Sequence, residues 1–242
     1  MPENNFKFLI VGAGRGGTSL IAGLLDAHRS LEVGLELFSV ACLMGKDENL
    51  HGSNLFDERV TAFISACRLE AERYPGLAWG NKITTEQIFG LEDHNSSNPA
   101  ASIDVLDAFF NEYLKGIKIV FILRDGRTCA NSKVQRTGQS FETACERWKY
   151  SVEIYKFLNT RHSNNLCIRF EDLLHTPQSA LGKVCDFLDV PYQETMLQGT
   201  SNTKMLPEYQ QKTIDPSKTA SVVIPEACLQ SMSEDLKFCG YL

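Results

Sequence analysis

No run of apolar residues in this sequence approaches the roughly 18 needed to cross a bilayer as a helix. Its first apolar run, Phe6 to Val11, is too short for a signal peptide and lacks a cationic start before it. These absences lead us to expect a cytoplasmic protein without a membrane span. Excess positive charge is missing too: Lys+Arg 24 against Asp+Glu 30 gives a net charge of −6. Such a chain is a poor partner for a nucleic-acid polymer. The eight cysteines (Cys42, Cys67, Cys129, Cys145, Cys167, Cys185, Cys228 and Cys239) form no C-x-x-C pair, and no Cys/His run has zinc-finger spacing. They are expected to be small buried thiols in a reducing compartment, with no metal. Internal repeats and low-complexity tracts are likewise missing. With 242 residues and 43% hydrophobic content, the chain can bury a full core as one domain spanning 1–242.

Strands and helices alternate along the chain. FKFLIV at Phe6–Val11 and IKIVFIL at Ile117–Leu123 are continuous apolar runs, the pattern of buried parallel strands. LEVGL at 31–35, a short run at 77–79 and residues 166–170 are further strand candidates. Helical spacing marks 18–28, 57–73, 103–114, 127–137, 141–158, 177–188 and 225–238. Residues 92–102 read as a loop or insertion, and 193–224 show little periodicity. The alternation predicts an α/β fold: three α/β/α layers around a central, mostly parallel sheet.

Between the first strand and helix lies Gly12-Ala13-Gly14-Arg15-Gly16-Gly17-Thr18-Ser19. A glycine-rich turn running into a helix N-terminus is an anion site, because backbone N–H groups converge where the helix dipole favours negative charge. Three readings fit. Gly12, Gly14 and Gly17 satisfy G-x-G-x-x-G, and Glu36 ends the second strand where a ribose-binding carboxylate belongs, as in a Rossmann-type NAD or FAD oxidoreductase. Gly12 to Ser19 also fits a nucleotide P-loop, except that Thr18 replaces the lysine that reaches the β/γ-phosphates. The third reading keeps the P-loop geometry and moves the cation to Arg15, with Thr18 and Ser19 adding hydroxyl donors.

A second motif bears on that choice. The strand IKIVFIL runs into Arg124-Asp125-Gly126-Arg127, followed by Ser132 and Arg136. Arg124 ends a central strand, where open α/β sheets bind ligands. Ser132 and Arg136 are one helical turn apart on one face. Two guanidinium groups and a hydroxyl make a second phosphate site. A plain dinucleotide needs no such second site. Two of them, one at each of two strand ends, are what 3′-phosphoadenylyl sulfate (PAPS) requires.

Together these residues resemble the PAPS-dependent sulfotransferase family, in motif spacing most like its tyrosylprotein and carbohydrate branches. Gly14 to Ser19 stands where that family has P-[RK]-S-G-T-[TS], and Arg124, Asp125, Arg127 and Ser132 match its R-D-x-R…S motif. IRFEDLLHTPQSALGKVCDFLDVPY is similar to its Y-E-D-L…P…F-L-G-x-P segment. Gly14 and Gly16 replace the usual proline and serine, and Phe170 a frequent tyrosine. The resemblance implies a P-loop-NTPase-like phosphate-binding loop. It further implies in-line sulfuryl transfer from PAPS to a hydroxyl, leaving adenosine 3′,5′-bisphosphate, with no metal.

On this reading Glu36, 21 residues after Arg15, is the general base. Arg15 stabilises the leaving phosphate, and Lys82 serves the transferring group. Arg15, Gly16, Gly17, Thr18 and Ser19 hold the 5′ end; Arg124, Ser132 and Arg136 hold the 3′-phosphate. One tail lysine, with Lys212 preferred over Lys204 and Lys218, closes over the nucleotide. The acceptor is a hydroxyl of a carbohydrate, small metabolite, lipid or peptide tyrosine, met by residues 37–56, 83–102 and 193–224. The oxidoreductase and a non-catalytic PAPS binder stay open as alternatives at this stage.

Overall fold

Continuous apolar runs become interior strands because both their faces must be covered. A computed structural model of the chain describes residues 4–47, 50, 55–220 and 222–242. Its sheet consists of β1 (Phe6–Gly12), β2 (Leu31–Leu35), β3 (Ala78–Lys82), β4 (Lys118–Leu123) and β5 (Asn165–Arg169). All pairings are parallel, in the order β2-β3-β1-β4-β5. The two strongest apolar runs, β1 and β4, are thus interior neighbours. Side chains alternate across the sheet. Leu9, Val11, Ile119, Phe121 and Leu123 enter one core, and Phe8, Ile10, Val120 and Ile122 the other. Each is essentially fully buried, so truncating one of the isoleucines to alanine would cost about 2–5 kcal/mol.

The helices are α1 (Thr18–Asp26), α2 (Ser39–Cys42), α3 (Leu55–Ala71), α4 (Thr85–Phe89), α5 (Asp93–Ser97), α6 (Val105–Asp107), α7 (Gly126–Thr137), α8 (Phe141–Arg161), α9 (Phe170–His175), α10 (Pro177–Phe187) and α11 (Glu226–Phe238). Ile21, Leu24 and Leu25 of α1 pack with Leu173 of α9 and Leu181 and Val184 of α10 on one face. Phe63 of α3, Trp148 and Val152 of α8, and Met232 and Leu236 of α11 cover the other. The result is the expected three-layer α/β/α architecture.

Several boundaries differ from the sequence reading. The third strand extends to Lys82, so Asn81 and Lys82 are strand residues at the sheet's C-terminal edge. Residues 92–102 are not plain loop: they hold α5 and a 3-10 turn at Pro99–Ala101. The helix expected over 103–114 is α6 followed by a π-helical turn at Ala108–Tyr113, with Phe109 and Phe110 fully buried. The 193–224 stretch carries only 3-10 segments, at Glu194–Ser201, Pro207–Tyr209 and Pro216–Thr219. All eight cysteines are free, and seven are buried. Among the described residues no helix is long and apolar enough to cross a membrane, and no His/Cys/Asp/Glu group could hold a metal ion.

The strand order bears on the dinucleotide reading. In that fold β2 borders β1. Here β3 separates them, so Glu36, just beyond β2, sits across β3 from the glycine loop. Its partner is Lys82, at the end of β3.

Candidate functional site

A cleft of about 550 Å³ opens at the C-terminal ends of β1, β3 and β4. Its floor is the glycine loop. The Gly16 amide donates to the Ala13 carbonyl at 2.7 Å, which closes the loop on itself. Gly17 takes the left-handed conformation at φ 99° that starts α1, and a Cβ there would lie 2.2 Å from the Phe170 ring. No side chain caps α1. Its first-turn N–H groups, which lack intrahelical partners in any helix, therefore stay uncapped beside Thr18 and Ser19 at the cleft. Arg15 is also left-handed, at φ 71°, a conformation that costs a non-glycine residue about 1 kcal/mol or more.

That strain is offset by contacts that fix the Arg15 side chain. Its Nε donates to Ser132 Oγ at 3.2 Å, and its guanidinium lies 5.0 Å over the Tyr209 ring. Arg124, just past β4, donates to the Arg15 carbonyl at 2.8 Å, to the Lys218 carbonyl at 2.9 Å and to Thr128 Oγ1 at 3.0 Å. Its guanidinium stacks 4.4 Å over Phe170. Phe170 thus wedges between Gly17 and Arg124 and ties the glycine loop to the end of β4. Burial, and secondarily Arg15, lowers the Arg124 pKa, yet a guanidinium remains charged. Lys218 also lines the cleft; burial lowers its pKa, and Arg124 and Arg15 add to that.

On the other side of the loop, the Lys82 ammonium contacts Glu36 Oε1. Lys82 is 4% exposed, whereas the Glu36 side chain is 38% exposed and reaches the opening. Gln87 Nε2 donates to Glu36 Oε2 at 2.7 Å. The backbone at Glu36 and Phe38 is left-handed, φ 57° and 63°. Asn81 braces this turn: its side-chain amide donates to the Leu37 carbonyl at 2.8 Å and accepts from the Leu37 amide at 3.3 Å. The Glu36 amide donates to the Lys82 carbonyl at 2.7 Å. The end of β3 therefore places both members of the ion pair.

A second carboxylate enters the cleft from α4. Glu86 accepts the Gly14 amide, at 2.9 Å to Oε2, and pairs with the Lys133 ammonium of α7. Burial, then Arg147 and Arg15, lowers the Lys133 pKa.

Arg15, Gly17, Thr18, Ser19, Glu36, Lys82, Arg124 and Ser132 all line this one cleft. Three expected residues do not. The Gly16 amide is used inside the loop. Arg136 turns to Glu208, because the 207–209 segment offers it a carboxylate, and it is half-exposed. Lys212 is exposed and outside the lining, while Lys218 lines the cleft. Lys204 pairs with Asp26 and Glu32 instead. Sequence reasoning missed Glu86, Lys133, Gln87 and Tyr209. Only Gln87 carried a signal: Thr84-Thr85-Glu86-Gln87 is a capping-box pattern, and Gln87 Oε1 accepts the Thr84 amide at 2.8 Å.

Comparisons with known proteins bear on the family and the fold. The model of the Sulfotransferase family matches residues 8–194. Protein-tyrosine sulfotransferase A of Caenorhabditis elegans is 24% identical over 202 residues, covering 78% of this chain and 51% of the relative. The chain therefore spans about half the length of that relative. Among solved structures, the sulfotransferase domain of the Synechococcus PCC 7002 olefin synthase superposes with a TM-score of 0.68 at 19% identity, covering 100% of this chain and 98% of that one. Mouse sulfotransferase SULT7A1, complexed with PAP, gives 0.50 at 11% identity, covering 98% and 85%. These two share the fold. By the family match over most of its length, this chain belongs to the sulfotransferase family.

Proposed function

We propose that the chain transfers a sulfuryl group from PAPS to a hydroxyl acceptor, releasing adenosine 3′,5′-bisphosphate. One observation carries this reading. An uncapped helix N-terminus, three cations (Arg15, Lys82 and Arg124) and an ion-paired carboxylate, Glu36, converge on one cleft. The SULT7A1 structure with PAP is a supporting parallel.

The roles follow from chemistry. The α1 amides, with Thr18 and Ser19, bind the 5′-phosphate; Arg124 and Ser132 bind the 3′-phosphate, with Lys218 beside them. Glu36 accepts the acceptor's hydroxyl proton as the new S–O bond forms. The bridging S–O bond breaks, and its electron pair leaves with the bisphosphate. Arg15 neutralises charge developing on that leaving group, and Lys82 stabilises the sulfuryl group in transfer. Arg15 acts as a fixed cation rather than a proton donor. No metal is called for, since PAPS carries an activated group. The free buried thiols suit a reducing compartment such as the cytoplasm.

The acceptor meets the cleft from residues 37–56, 83–102 and 193–224, of which 48–49, 51–54 and 221 lie outside the described residues. A carbohydrate, small-metabolite, lipid or peptide-tyrosine hydroxyl suits the chemistry. Thermal shift with adenosine 3′,5′-bisphosphate, NAD and ATP tests the nucleotide assignment. The bisphosphate should give the largest rise in Tm; a rise with NAD alone would overturn the reading.

A further inference from the structure

Glu86 lies in the first turn of α4, four residues beyond Lys82. Its carboxylate spans two elements of the site. The Gly14 amide donates to Oε2 at 2.9 Å and to Oε1 at 3.2 Å, and Oε1 meets the Lys133 ammonium. The pair is largely removed from water, with side-chain exposures of 7% for Lys133 and 21% for Glu86. A Cβ at Gly14 would fall 2.9 Å from Oε1 and 3.2 Å from the carboxyl carbon. Gly14 is not among the residues with a left-handed backbone. A side chain at Gly14 would press on the Glu86 carboxylate, which Lys133 holds on its far side.

A carboxylate at the entrance of an anion loop should repel the ligand that the loop binds. At short range in a half-buried site that repulsion is large. The contact persists because Lys133 cancels the charge on the spot. Replacing Lys133 alone would leave an uncompensated anion beside Arg15. Replacing Glu86 alone would leave an extra cation.

We propose that Glu86 and Lys133 form a positioning pair for the phosphate loop. Glu86 holds the Gly14 amide and thereby the backbone of Arg15; Lys133 neutralises Glu86 so that the loop still accepts an anionic nucleotide. The proposal rests on the nucleotide reading above.

Calorimetric titration with adenosine 3′,5′-bisphosphate, on wild type, Lys133→Met, Glu86→Gln and the double variant, tests it. Thermal melts establish that each variant is folded. Lys133→Met should weaken binding by about tenfold or more, and added salt should shrink the loss. Glu86→Gln should bind at least as tightly as wild type, yet turn PAPS over several-fold more slowly. The double variant should return to within about threefold of wild-type affinity, since the two changes are coupled. If Lys133→Met does not fold, Lys133→Arg supplies the second arm and should bind within about threefold of wild type, because it keeps the charge. Glu86→Gln then still has to bind undiminished. A purely structural pair would instead give two losses of one sign, with no recovery in the double variant, and that result overturns the proposal. A wild-type chain that takes up no bisphosphate overturns the nucleotide reading and this proposal with it. Wild-type binding without the opposed signs overturns the pair alone.

Discussion

Gln87 joins the start of a helix to the candidate base. Its Oε1 accepts the Thr84 amide at 2.8 Å, and its Nε2 donates to Glu36 Oε2 at 2.7 Å. One side chain thus caps α4 and holds the free oxygen of a carboxylate whose other oxygen meets Lys82. Gln87→Leu should remove both contacts and leave Glu36 held by Lys82 alone. We expect turnover to fall about 10–100-fold, with bisphosphate affinity within about threefold of wild type, because misplacing a reacting group costs rate more than binding. Steady-state kinetics beside calorimetry separates the two.

The tail contacts make a distinction between two lysines. Lys218 lines the cleft beside Arg124, whereas Lys212 is exposed outside it. Lys218→Ala should weaken adenosine 3′,5′-bisphosphate about tenfold, the scale of one charge-assisted contact. Lys212→Ala should leave it unchanged. Equal losses would place the tail differently.

Gly17 is held by two independent constraints, φ 99° and a 2.2 Å approach of Phe170 to any Cβ. Gly17→Ala should destabilise the fold by roughly 1–3 kcal/mol. Differential scanning calorimetry should show the lower Tm, and the bisphosphate-induced rise in Tm should vanish. Phe170→Leu in the same background should recover only part of the loss, because the backbone strain remains.

The thiols set an alkaline limit. Burial pushes Cys67 up to about 12 and Cys185 to about 11, with neighbouring acidic groups adding a smaller push. A thiol whose folded pKa is raised contributes stability that is fully present below its unfolded value, near 9, and lost as pH climbs through the folded one. Stability should therefore decline between about pH 9 and 12. At pH 8 iodoacetamide should label few thiols in the native chain and all eight after unfolding.

The legible parts of this molecule are those encoded locally. Apolar runs marked β1 and β4, glycines marked the loop, a strand end marked Arg124, and the family resemblance marked Lys82. The Arg15-to-Glu36 spacing marked the candidate base, although its ion pair with Lys82 emerged only from the order of the strands. Glu86 and Lys133 were not legible, because two residues 47 apart meet only once α4 and α7 have both packed against α8. Arg136 has the right spacing from Ser132, but Glu208 draws its side chain away. No spacing rule distinguishes Lys218 from Lys212 in a segment without periodicity. The glycine at 14, read as a departure from a motif, acquires a reason once the Glu86 carboxylate is seen against it.

The most direct test of the central claim is Glu36→Gln, which keeps the shape of the side chain and removes its basicity. Release of adenosine 3′,5′-bisphosphate from PAPS should be followed with a panel of phenol, carbohydrate, lipid and tyrosine-peptide acceptors, beside calorimetric binding of the bisphosphate. The account predicts acceptor-dependent release that falls roughly 10²–10⁴-fold in the variant while binding persists. Undiminished release by Glu36→Gln would contradict it and place the base elsewhere.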